Sequence, residues 1–116
     1  MQKVTIWHNP RCSKSRETLA LLQARDIQPT VVEYLKTPPG VTELEQALQV
    51  LGLEARGLMR DDEEVYAQVN ADDPKLSRQQ LLDLMHSNPI LIQRPVVFAG
   101  AKARIGRPPT AVLEIL

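Results

Sequence analysis

The sequence predicts an α/β fold: a four-stranded mixed sheet flanked by helices, with a helical insertion between the second and third strands. Three features carry that expectation. β-Branched runs at 4–7 and 30–35 bracket a helical stretch, apolar residues recur at helical spacing through the middle, and two strand signals at 96–105 meet at a turn before a last helix.

VTIW at 4–7 is short and β-branched, and Asn9-Pro10 stops it. After Cys12, SRETLALLQARDI reads as a helix whose apolar side is Leu19, Leu22 and Ala24 to Ile27, with Ser13 as its cap. TVVEYL at 30–35 is the second strand, and Thr37-Pro38-Pro39-Gly40 breaks it. Strand, helix and strand within about 30 residues form a βαβ unit with parallel strands. Thr42 with Glu45 then forms a capping box, and Leu44, Ala47, Leu48 and Leu51 make a helical stripe before Gly52. Short helices are expected around 55–60 and 62–69, the acidic run 61–64 being a solvated helix start. Ser77 with Gln80 caps a clearer helix carrying Leu81, Leu84 and Met85, which ends at Asn88-Pro89. VVF at 96–98 and AKARI at 101–105 form a hairpin about Ala99-Gly100, and Pro108-Pro109 opens the final helix. One domain over residues 1–116 follows, with the helical insertion at about 41–88.

The totals narrow the function. The 116 residues include 43% apolar and 24% charged, a globular profile with enough chain for one core. Fourteen basic residues balance fourteen acidic ones and aromatics number four, so neither a net field nor stacking platforms argue for nucleic acid. No apolar run approaches a membrane span, and MQKVTIWHNP lacks the apolar core of a signal peptide. A single cysteine allows no internal disulfide, and no Cys/His cluster suggests a metal. A cytoplasmic location is expected.

The cysteine lies in HNPRCSKSR, where a strand turns into a helix, among Arg11, Lys14 and Arg16. A helix N-terminus and nearby cations both favour the thiolate, the nucleophilic form. A lone cysteine is more often a small buried hydrophobe, but here its neighbours are polar and its place is a turn. His8, four residues earlier, could stabilise the thiolate as an imidazolium or hydrogen-bond to the turn. His86, near a helix end, reads as a C-terminal charge partner. Arg60, Arg94 and Arg107 each stand at an element boundary, and a guanidinium fork suits a tetrahedral oxyanion. For any one of them a solvated or capping charge is the better reading, and spacing does not show convergence. The Arg94-Pro95 bond precedes a strand, a place for a cis peptide, although most X–Pro bonds are trans.

HNPRCSKSRETL, LMRDDEEVY, NPILIQRPVVF and RIGRPP, in that order, resemble the motifs of the arsenate reductase family that uses glutathione and glutaredoxin. The resemblance covers essentially the whole chain. It implies a thioredoxin-like fold and a cis bond at Pro95. Cys12 matches the family's nucleophile, His8 and Ser15 the residues that help activate it, and Arg60, Arg94 and Arg107 the arginines that hold the oxyanion. The implied reaction joins the Cys12 thiolate to arsenic and resolves the adduct with glutathione and glutaredoxin. Glutathione is then a co-substrate, no cofactor is resident, and the protein is expected to be a monomer. Arg11 and Lys14 stand where the plasmid-type members carry small uncharged residues, and are similar to a separate branch of the family. Two other readings are a monothiol glutaredoxin-like oxidoreductase, from the CxxS form of Cys12 to Ser15, and a Spx-like regulatory protein. The latter typically carries a CxxC switch, which Ser15 removes.

Overall fold

A computed structural model describes residues 3–116. The chain packs as two compact units, one running to Thr37 and resuming over Arg94–Leu116, the other Pro38–Gln93. The second unit is somewhat longer than the insertion expected at about 41–88.

The first unit holds the sheet. Strands β1 (Val4–Trp7), β2 (Thr30–Val32), β3 (Val96–Ala99) and β4 (Lys102–Ile105) are ordered β2-β1-β3-β4. β1 and β2 are parallel, with Ile6 opposite Val31, while β1–β3 and β3–β4 are antiparallel. This is the mixed four-stranded sheet expected from the element order. Alternation along β1 turns Val4 and Ile6 into a core with Leu22, Val97, Ala99 and Val112. On the other face Trp7 meets Phe98, ring centroids 4.9 Å apart. Gly100 has a φ of 59° and turns the hairpin.

The first helix, α1, spans Ser13–Ala24. Its cap is Cys12, not Ser13, one residue earlier than expected. The helix stops three residues short of Ile27: Asp26 turns left-handed at φ 61°, and the Ile27 amide closes back on the Leu22 carbonyl at 3.1 Å. β2 is half the length expected, because at Glu33 the chain turns and the Lys36 amide bonds the Glu33 carbonyl. Tyr34, read as a strand residue, sits in that turn with no exposed surface. The last helix, Pro109–Ile115, is a 3₁₀ helix and buries Ala111 and Val112.

The second unit is helical. α2 (Val41–Leu51) is capped by Gly40 and Glu43, whose carboxylate accepts the Gly40 amide at 3.1 Å. Thr42 and Glu45 therefore lie inside the helix, and Glu45 instead takes a two-pronged ion pair from Arg78. Ala55–Leu58 is a 3₁₀ turn, and α3 (Glu64–Gln68) is only five residues long. α4 (Arg78–Ser87) has the expected Ser77–Gln80 capping box and packs on α2. Leu44, Ala47, Leu48, Leu81, Leu82 and Met85 are buried, the α2 stripe as its spacing implied. The His86 ring, in the last turn of α4 as expected, donates to the Pro39 carbonyl at 2.9 Å.

Gly106 follows β4 because nothing larger fits. A Cβ there would lie 2.7 Å from the Thr18 hydroxyl and 2.8 Å from the Pro95 ring. Thr18 is itself held by the Lys14 carbonyl at 2.8 Å, and the Gly106 amide bonds the Pro95 carbonyl at 2.9 Å. Gly106→Ala is expected to cost about 1–3 kcal/mol of stability by overpacking, read as a lower urea midpoint with an unchanged slope. An unchanged midpoint would show that Thr18 and Pro95 yield without cost.

Candidate active site

The loop that carries Cys12 is built by the end of β1 and the start of α1. The His8 amide continues the parallel ladder to the Val32 carbonyl at 2.8 Å, and Asn9-Pro10 then turns the chain. The Cys12 amide closes that turn on the Asn9 carbonyl at 3.0 Å. Asn9 is buried, and its side-chain oxygen accepts the Arg11 amide at 3.0 Å. Cys12 thus arrives at the N-cap with extended backbone, φ −93° and ψ 124°.

That position explains the thiol's acidity. An oxygen side chain at the N-cap normally accepts the free amides of the first turn. Here a sulfur stands in that place; it closes no cap hydrogen bond, but the nearby Ser15 and Lys14 amides favour its ionised form. Burial pushes the thiol pKa up, but those two amides and the Arg94 guanidinium outweigh it and hold the pKa below that of an ordinary cysteine. Cys12 is partly exposed, so the thiolate is open to attack a ligand.

The positive charge on the thiol does not come from its sequence neighbours. Arg11 is exposed, the Lys14 ammonium is 3.8 Å from Glu17, and Arg16 donates to the Pro10 carbonyl at 3.0 Å. The cations that face Cys12 arrive from about 80 residues and more along the chain: Arg94, and Arg107, whose Nη2 is 3.9 Å from Sγ. Arg107 Nε also donates to the Arg94 carbonyl at 2.9 Å, which ties the two segments together. The Arg94–Pro95 peptide is cis, and so is Arg107–Pro108.

His8 and Ser15 form a pair beneath this loop. The Ser15 hydroxyl has no exposed surface, accepts the Asn9 amide at 3.0 Å and bonds His8 Nδ1 at 2.7 Å. Burial lowers the His8 pKa, with Arg16 adding to it and Glu33 opposing. The bond to Ser15 is of the kind the hydrogen-bonding alternative describes, and burial works against the imidazolium. Ser15 therefore acts twice: its side chain pins the loop and its amide faces the thiol.

Arg60 belongs to the second unit. Its amide bonds the Leu91 carbonyl at 2.6 Å, and its guanidinium pairs with Asp62 at 2.9 Å and Glu63 at 3.6 Å. Only 9% of Arg60 is exposed, and Nε and Nη1 are buried without hydrogen-bond partners. Among the described residues no His, Cys, Asp and Glu side chains cluster as a metal site requires. No helix of the described residues is long and apolar enough to cross a membrane.

The model of the ArsC family matches residues 7–115, which include the thiol loop, both cis prolines and all three arginines. The chain belongs to the ArsC family. It is 47% identical to an arsenate reductase of Haemophilus influenzae over 97% of this chain and 98% of that one. An uncharacterised Escherichia coli protein, YfgD, is 51% identical over 99% of this chain and 98% of its own length. The solved structure of an arsenate reductase from Vibrio cholerae superposes with a TM-score of 0.97 at 52% identity, covering 99% and 98% of the two chains. This ArsC protein accordingly has the thioredoxin-like fold of those reductases.

Two buried residues of the first unit, Asn9 and Tyr34, escaped the sequence reading. Asn9 was legible only as a strand stop, although a buried Asn-Pro at a strand end is a loop-fixing pattern. Tyr34 carried no signal beyond its β propensity.

Proposed function

We propose that this protein reduces arsenate to arsenite, with the Cys12 thiolate as nucleophile. The observation that carries this reading is the place of the sulfur: Sγ stands at the N-cap of α1 with Arg107 Nη2 3.9 Å away, and Arg94 and the first-turn amides favour its ionised form. Such a place suits a thiolate and the anion it attacks. Arg94 and Arg107 hold the oxyanion, and Arg60, from its motif, is a third ligand to it. His8 and Ser15 fix the loop.

In the first step sulfur bonds to arsenic while one arsenic–oxygen bond breaks, and that oxygen leaves as water after protonation. The chain has one cysteine, so the two electrons that take arsenic from the +5 to the +3 state come from outside thiols. Two glutathione equivalents supply them and become a disulfide, with glutaredoxin as the partner that resolves the enzyme-bound thiol. The active protein is a cytoplasmic monomer of one domain. A disulfide switch of the Spx kind is disfavoured, since the buried Ser15 hydroxyl occupies the second position.

The test is arsenate-dependent NADPH oxidation with glutathione, glutaredoxin and glutathione reductase. Turnover that needs all components is expected. A folded protein with a reactive Cys12 and no turnover would remove arsenate as substrate, and activity on a glutathione mixed disulfide would then favour the glutaredoxin-like reading.

A further inference from the structure

Tyr34 is fully buried, and its hydroxyl has no hydrogen-bond partner. An unsatisfied buried hydroxyl is costly, and in native proteins such a group calls for a reason. Phenylalanine would fill the same space without that cost, so packing does not account for the oxygen. Its surroundings do. In the first unit the Asn9 amide and the Arg94 guanidinium approach the hydroxyl closely enough to favour its ionised form, and the Cys12 sulfur opposes them, yet no contact meets the geometry of a full hydrogen bond. These are the groups that surround the proposed oxyanion.

We propose that Tyr34 is a further oxyanion-binding residue, whose hydroxyl donates to an oxygen of the tetrahedral anion held by Arg94 next to Cys12. The proposal rests on the reading of Cys12 and Arg94 as the oxyanion site. A bound oxyanion supplies an acceptor for a hydrogen that neither a guanidinium nor the donor end of an amide can take. Burial pushes the phenol pKa up, and Cys12 adds to this against the pull of Arg94 and Asn9, so the hydroxyl stays a donor through neutral pH. A neutral donor also complements the arginines chemically. It bonds an oxygen without adding charge, and a protonated oxygen of the anion can donate back to it.

The experiment measures iodoacetamide alkylation of Cys12 at fixed pH under increasing arsenate, without glutathione so that nothing turns over. In the wild-type protein arsenate should slow alkylation. In Tyr34→Phe the unprotected rate should be similar, while half-protection should need about tenfold more arsenate, the scale of one hydrogen bond to a charged group. Thermal stability of Tyr34→Phe should be unchanged or higher, which separates lost binding from lost structure. In the coupled assay KM for arsenate should rise more than kcat falls. Equal half-protection in a folded Tyr34→Phe would overturn the role of Tyr34 and leave the site intact. Failure of arsenate to protect the wild-type thiol would overturn both.

Discussion

Cys12→Ser should abolish arsenate-dependent NADPH oxidation, a loss of at least about 10³-fold for a missing nucleophile. Stability should not follow. Serine is among the preferred N-cap residues, and its hydroxyl would accept the first-turn amides that now face sulfur. The variant is therefore expected to melt at or slightly above the wild-type temperature. This opposition between activity and stability is what a nucleophile installed at a cap predicts, and a merely structural cysteine would not show it. Substantial turnover in Cys12→Ser would eliminate the covalent mechanism. A large drop in melting temperature would mean that the thiol serves packing.

Arg94→Ala should do two separable things. Arg94 favours the thiolate, so its removal raises the Cys12 pKa and moves the alkylation profile to higher pH. At neutral pH the thiolate fraction falls, and the reaction slows. At a pH where both proteins are fully ionised, that part of the defect vanishes. The second part persists at every pH, because the oxyanion has lost a charged donor, and KM for arsenate should rise by about 10²-fold. Arg94→Lys should recover part of the thiol acidity but little of the affinity, since an ammonium lacks the planar fork. Arg25→Ala, at the far end of α1, serves as the control and should leave both quantities alone. An unshifted pH profile together with an unchanged KM would remove Arg94 from the site.

Much of the fold was legible because it rests on local patterns. The period-2 run VTIW, the stripe Leu44–Ala47–Leu48 and the Ser77–Gln80 box each state their structure within a few residues. Where local readings slipped, a competing local interaction won. Gly40 with Glu43 displaced Thr42 with Glu45, and Cys12 took the cap from Ser13. β2 ended early because the turn at Glu33 carries Tyr34 into the interior.

By itself the sequence determined the element order and the place of Cys12 at a strand-to-helix turn. These depend on residues close together in the chain, whose geometry the backbone and its hydrogen bonds impose. Which charges act on the thiol was decided only by the tertiary structure. Arg11, Lys14 and Arg16 adjoin Cys12 in sequence, yet they point to solvent, to Glu17 and to the Pro10 carbonyl. Arg94 and Arg107 are distant in sequence, and the pairing of β1 with β3 and of β3 with β4 carries them to the sulfur. Electrostatic influence falls with distance in space, not along the chain, and the sheet register sets that distance.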